Sequence, residues 1–247
     1  MSDNSAIEWT QATWNPVTGC TKVSPGCAHC YAEAITLRFK RGGRFIPGEA
    51  IIRLHSDRLR LPLTWKEPRL IFVNSMSDLF HEEVPLSYIT KVFDVIALAP
   101  QHTFQILTKR HNRLAELMPK LPLLENVWLG VSVENQVWAD RRIPALKTAT
   151  AAVRFLSCEP LLRPITLEKH LEGIDWVIVG GESGPRARSM EQSWARAIRD
   201  ECLDAGVPFF FKQWGGRTSK AGGRLLDGRV WDEMPSATRS AATIAGL

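Results

Sequence analysis

Three cysteines fall within eleven residues, Cys20, Cys27 and Cys30, spaced C-x6-C-x2-C. The chain has five cysteines in all, an odd number. Crowded cysteines in a reducing compartment read as metal ligands before they read as disulfides. Thiolates are soft donors that suit zinc or iron–sulfur clusters. A structural zinc site takes four protein ligands, and only three cysteines stand here. His29 is a candidate fourth ligand, but between Cys27 and Cys30 it would compete for space. Cys158 and Cys202 are far off in sequence. Three thiolates suit a [4Fe–4S] cluster with one iron open. An open iron can chelate the amino and carboxylate groups of S-adenosylmethionine (SAM), whose one-electron reduction yields a hydrogen-abstracting radical. A small zinc site remains the alternative.

Such a loop needs elements to hold it. Short β-branched or aromatic runs alternate with amphipathic stretches along the chain. Strands are expected at Ala12–Val17, Ile51–His55, Leu70–Asn74, Phe104–Thr108, Val127–Val133, Val153–Cys158, Trp176–Val179 and Phe209–Lys212. Helices are expected from about Tyr31 to Phe39 and over Pro85–Ala99, Asn112–Met118, Glu134–Ala145 and Ser193–Ala205. Repeated strand–helix units imply parallel strands. The expected fold is therefore α/β, a full or partial TIM-like barrel of six to eight parallel strands. Ile51–His55 is the weakest strand, because Gly42, Gly43, Pro47 and Gly48 make its approach loop-like. Residues 1–234 read as one domain and 235–247 as a mobile tail.

Polar residues gather where these strands end. In order they are Asn74 to Asp78, Thr108-Lys109-Arg110, Ser132 to Asn135, Cys158-Glu159-Pro160, Gly180 to Ser183 and Lys212-Gln213-Trp214. In a barrel these ends converge on the face that carries active sites. Gly180-Gly181-Glu182-Ser183-Gly184 would let backbone approach a ligand and offer amides to an anion. Glu159, Glu182, Lys212 and Gln213 are candidates for the substrate side of the pocket. Arg186, Arg188 and Arg217 are candidate phosphate contacts, Arg110 another substrate contact, and Trp214 a base-stacking ring. Cys158 is a candidate hydrogen donor, set against inert packing as a buried thiol. Trp9, Trp65, Trp128 and Trp176 read as core.

The formal net charge is +5. That mild excess suits DNA, RNA or nucleotide partners as well as an ordinary basic surface. No stretch approaches the ~20 apolar residues of a membrane span, and the polar N-terminus lacks a signal-peptide pattern. A cytoplasmic protein is expected.

The Gly-Cys…Gly-Cys-Ala-His-Cys-Tyr-Ala run resembles the cluster loop of radical SAM enzymes, and within them the spore photoproduct lyase-like branch. More specifically, residues 7 to 215 resemble a phage-associated radical SAM-like family of unassigned function. The resemblance rests on Trp14-Asn15-Pro16, the cysteine loop, Ser75 to Phe80, Leu107 to Arg110, Gly130 to Glu134 and Glu159-Pro160-Leu161. It implies a [4Fe–4S] cluster on Cys20, Cys27 and Cys30, bound SAM, and a flavodoxin- or ferredoxin-like electron donor. It also implies that Ser75 bonds SAM's polar end, Lys109 pairs with its carboxylate, and Ser132 contacts ribose or carboxylate. Glu134 would accept from a ribose hydroxyl, and His29 would pack on the adenine edge. Asp78 would bind cofactor or cap a helix. Two departures stand out. The usual first gap is three residues and here it is six, and no cysteine stands beside Ser75 to return hydrogen as in the lyase. The expectation is a radical SAM enzyme acting on a nucleic acid or nucleotide, in modification or lesion repair. The alternatives are a non-catalytic iron–sulfur or zinc protein that binds nucleic acid, and a radical SAM enzyme that modifies a peptide or partner protein.

Overall fold

The computed structural model describes residues 5–33, 35 and 52–235. Seven strands form one parallel sheet: β1 (Ala12–Trp14), β4 (Leu70–Val73), β5 (Thr103–Thr108), β6 (Val127–Ser132), β7 (Val153–Cys158), β8 (Trp176–Gly180) and β9 (Phe209–Gln213), adjacent in that order. The crossovers carry helices α1 (Leu86–Ala97), α2 (His111–Leu117), α3 (Gln136–Thr148) and α4 (Gln192–Ala205). The sheet curls into a half-barrel.

Alternation along the strands builds two apolar layers, since successive side chains point to opposite faces. Trp14, Ile71, Phe104, Leu129, Leu156, Val177 and Phe209 pack with Ile89, Phe93, Ile143 and Ile198 of the helices. Phe72, Trp128, Phe155, Trp176 and Phe210 line the concave face. The ring of Trp9 lies 4.8 Å from Phe72 on β4 and 6.4 Å from both Phe155 on β7 and Trp176 on β8. In a flat sheet β4 and β8 would stand about 19 Å apart, so one indole touching both requires strong curvature.

One expectation is corrected. Ile51–His55 does not enter the parallel sheet. Within its described part, residues 52–55, β3 (Arg53–Leu54) pairs antiparallel with β2 (Val17–Thr18) in a separate ribbon. Both residues are exposed, so no apolar face draws them into the barrel. Pro144 lies inside α3, which runs three residues past the expected end at Ala145. Residues 31–33 and 35 are helical; the rest of the expected first helix, Ile51 and residues 236–247 of the expected tail lie outside the described residues. Among the described residues no helix is long and apolar enough to cross a membrane.

Candidate functional site

The cysteine loop leaves the C-terminal end of β1 and is tied to the ends of β4, β5, β6 and β8. Asn15 donates to Ser75 Oγ at 3.1 Å and accepts from the Met76 amide at 2.9 Å. Asn74, in the left-handed region at φ 60°, accepts from the Val17 amide through Oδ1; asparagine tolerates that conformation. Arg110 donates to the carbonyl and hydroxyl of Thr21 at 3.1 and 2.8 Å, and pairs with Glu82. The Gly26 amide donates to Glu134 Oε1 at 3.3 Å. Glu134 is fully buried against Arg142 at 2.7 Å, and the Arg142 guanidinium lies 4.0 Å over the Trp138 ring. His29 Nδ1 meets Glu182 Oε2 at 3.0 Å, and Arg188 donates to both Glu182 oxygens and to the Pro25 carbonyl. A loop with little apolar content is thus held by charged and amide groups from four strand ends.

The three cysteines are free and half-buried. Burial pushes the Cys20 thiol up to about 12; Asp78 and Cys27 add to the rise and Arg110 opposes it. Metal binding at such a thiol must displace its proton. Among the described residues no three His, Cys, Asp or Glu side chains converge on a point that one ion could occupy. A cubane asks for something different, because each thiolate binds its own iron. Three soft thiolates on one anchored loop fit that donor set.

Inside the mouth Lys109 Nζ donates to Ser132 Oγ at 3.0 Å. On the far wall Lys212 Nζ lies 3.2 Å from Glu159 Oε1, at an angle that leaves that oxygen without a hydrogen bond. Glu159 Oε2 accepts from Trp9 Nε1 at 3.2 Å and Ser157 Oγ at 3.3 Å. Gly180 makes room for this pair, since a Cβ there would stand 2.9 Å from Glu159 Oε1.

A sequence profile for a protein family of unknown function, DUF5131, matches residues 4–235. The chain belongs to that family. No curated protein matches this DUF5131 chain. Among solved structures it is similar to spore photoproduct lyase. A double mutant with bound AdoMet and dinucleoside spore photoproduct aligns at 15% identity and TM-score 0.50, over 81% of this chain and 63% of that one. A single mutant aligns over the same shares at 15% identity and TM-score 0.49. The chain thus spans under two thirds of the lyase's length. At this identity the likeness carries the fold alone, a partial parallel α/β barrel. It carries no phage association.

Within the DUF5131 chain the expected residues part into two groups. His29, Ser75, Lys109, Ser132, Glu134, Glu159, Glu182 and Lys212 come to the strand-end face with the cysteine loop. Others do not. Cys158 is fully buried in the helix-facing layer with Cys202, and burial raises its thiol well above the ordinary range; it does not reach the mouth as a hydrogen donor. Asp78 is buried, accepting from Thr108 Oγ1 and the Phe80 and Lys109 amides. It shapes the turn instead of facing a cofactor. Arg110 turns Nη1 and Nη2 to Glu82 and Thr21, and Arg188 turns its side chain to Glu182 and the Pro25 carbonyl. Trp214 packs its ring 4.7 Å from Phe211 and donates to the Leu225 carbonyl at 2.8 Å. Gln213 is buried, and its Oε1 has no partner. Arg186 and Arg217 are exposed. The glycine turn meets protein, not an anion: the Gly181 and Gly184 amides donate to Gln213 and Gly216 carbonyls at 2.9 Å each.

Arg142, Trp9, Asn15 and Ser157 belong to the site and were not among the expected residues. Arg142 sits in a helix that reads as solvated on one side. Its signal is Trp138 four residues before it, one helical turn away.

Proposed function

We propose that the chain is a radical SAM enzyme with a [4Fe–4S] cluster on Cys20, Cys27 and Cys30, acting on a nucleic acid or nucleotide. The observation that carries this is the anchoring of three free thiols over the mouth of a parallel half-barrel. When bound, the cluster and SAM would supply a carbon radical able to abstract hydrogen. Cys20, Cys27 and Cys30 would hold the irons. Lys109, kept in place by Ser132, offers an ammonium to the SAM carboxylate. Ser75, held by Asn15, offers a hydroxyl beside it. Glu134 and Glu182 hold the loop from beneath; with their oxygens occupied by Gly26, Arg142, Arg188 and His29, they act as positioning residues. Glu159 and Lys212 stand as an ion pair on the opposite wall, where a substrate would lie. The mild net positive charge supports a polyanionic substrate.

Anaerobic purification tests the reading. A brown protein with about four irons that releases 5′-deoxyadenosine from SAM under dithionite is expected. Cys27→Ala should lose the cluster, and Lys109→Met should keep it while weakening SAM binding about tenfold or more. A colourless protein holding stoichiometric zinc would overturn the proposal.

A further inference from the structure

We infer that the two loops after β8 and β9 form a cationic lip on which the phosphates of a nucleic-acid strand lie, held by Arg186, Arg217 and Lys220. The inference rests on the nucleic-acid reading above and says where the strand is gripped.

Residues 183–190 follow β8, and residues 214–223 follow β9. Together they carry four cations, Arg186, Arg188, Arg217 and Lys220, and no Asp or Glu. Glu182 neutralises Arg188. The other three residues are exposed, and among the described residues no carboxylate pairs with any of them. Thr218 and Ser219, between Arg217 and Lys220, are exposed as well. Cations and hydroxyls that already face water are the groups that phosphate oxygens meet on binding.

The lip is held in shape by backbone bonds. The Gly184 amide donates to the Gly216 carbonyl and the Gly216 amide to the Glu182 carbonyl, at 2.9 Å each. Arg186 and Arg217 thus stand within two residues of one shared ladder. The Ala221 amide donates to the Thr218 carbonyl at 3.2 Å, and the Trp214 amide closes the second loop on the Gly223 carbonyl at 3.0 Å. Loops already ordered lose less entropy when a partner binds. The lip also borders the mouth. Arg188 reaches the Pro25 carbonyl of the cysteine loop at 2.9 Å, and Lys212 of the far wall lies two residues before Trp214. A strand lying on the lip therefore passes between the cysteine loop and the Glu159–Lys212 pair. An acidic protein fits this surface less well. Neither loop has an exposed large apolar side chain, and the core of a protein interface needs such groups.

The test is fluorescence anisotropy on the anaerobically purified protein, without SAM, across a salt series. The probes are fluorescein-labelled oligothymidylate and oligouridylate of about fifteen nucleotides, which separate DNA from RNA as the source of the phosphates. The logarithm of the binding constant against that of salt should fall with a slope of about −2 for the preferred probe, since each of three contacts to a single strand adds about −0.7. R186Q/R217Q/K220Q should bring that slope close to zero and weaken binding at least tenfold at low salt. K66Q/K91Q/R141Q removes the same charge from exposed positions elsewhere and should keep the wild-type slope. If the first triple variant does not fold, R217Q alone carries the test with a slope smaller by about 0.7. A wild type that binds neither probe, two triple variants with equal slopes, or an R217Q with the wild-type slope overturns the inference. So does displacement of the strand by polyglutamate of the same length as readily as by unlabelled strand. SAM cleavage by the wild type separates the two proposals: cleavage without strand binding removes only the lip, and strand binding by a colourless zinc protein removes only the radical reading.

Discussion

Glu182 receives the Arg188 side chain at both oxygens, the Arg188 amide at 2.9 Å and His29 at 3.0 Å. Burial alone would raise its carboxyl. The hydrogen bonds from the Arg188 side chain and backbone and from His29 outweigh burial and bring it from 4.5 to about 2. A carboxyl whose folded pKa is depressed stabilises the fold above its unfolded pKa and loses that contribution as pH falls toward the folded value. The window here is pH 4.5 down to about 2. Between pH 7 and pH 3 the wild type should lose about 2 kcal/mol more stability than E182Q. Urea unfolding of both proteins at pH 7, 5 and 3 measures this, and parallel pH dependences would refute it. At this scale the sequence showed Glu182 as a polar residue after an apolar strand, but not its partners. Arg188 follows six residues later in an irregular turn, where no helical or strand period predicts contact. For the same reason Arg188 reads as a phosphate ligand in sequence and proves to be an internal brace. Cys158 misleads differently. It ends a strand, as the site residues do, but alternation turns it toward the helices.

The loops after β8 and β9 run together, backbone against backbone. The Gly216 amide donates to the Glu182 carbonyl at 2.9 Å, beside the Gly181 and Gly184 bonds. A Cβ on Gly181 would stand 1.9 Å from the Trp214 carbonyl oxygen, whereas one on Gly184 would meet nothing within 4 Å. Gly184 instead has φ +128°, where a side chain is strained. Gly181→Ala should therefore cost about 2–3 kcal/mol by overpacking, and Gly184→Ala about 1 kcal/mol by backbone strain. Gly181→Ala alone should also displace Trp214, which a change in indole emission would report. Equal costs and unchanged emission would sink this account. Element order was largely legible, because a parallel sheet buried on both faces writes apolar runs of its own length. Val153–Cys158 and the six other strands of the sheet follow from such runs. Arg53–Leu54 was not legible, since an exposed two-residue ribbon has no core face to mark it. The pairing of the two glycine loops was hidden too: Gly-Gly reads alike whether it admits a ligand or a neighbouring chain segment.

Across the whole molecule, Trp9 joins what the sheet separates. It precedes β1, yet its ring lies among Phe72, Phe155 and Trp176 and its N–H reaches Glu159 after β7. It is 3% exposed. Sequence shows it as a core residue but not as a bridge, because curvature is set by contacts distant along the chain. Among the described residues no second half of a barrel fills the concave face. Six aromatic rings (Trp9, Phe72, Trp128, Phe155, Trp176 and Phe210) do so instead, below the polar rim of Lys109, Ser132, Glu159 and Lys212. Trp9→Ala should then cost about 3–5 kcal/mol in urea unfolding, as the cavity opens against three strands. Trp9→Phe keeps a ring but removes the donor to Glu159 Oε2, and should cost about 1 kcal/mol. The two variants separate packing from polar support. If W9A unfolds no more readily than W9F, the indole is not what holds the sheet in its curve. If W9F matches the wild type, Glu159 relies on Ser157 and Lys212 alone, and the wall of the site is set from β7 and β9 without help from the N-terminal segment.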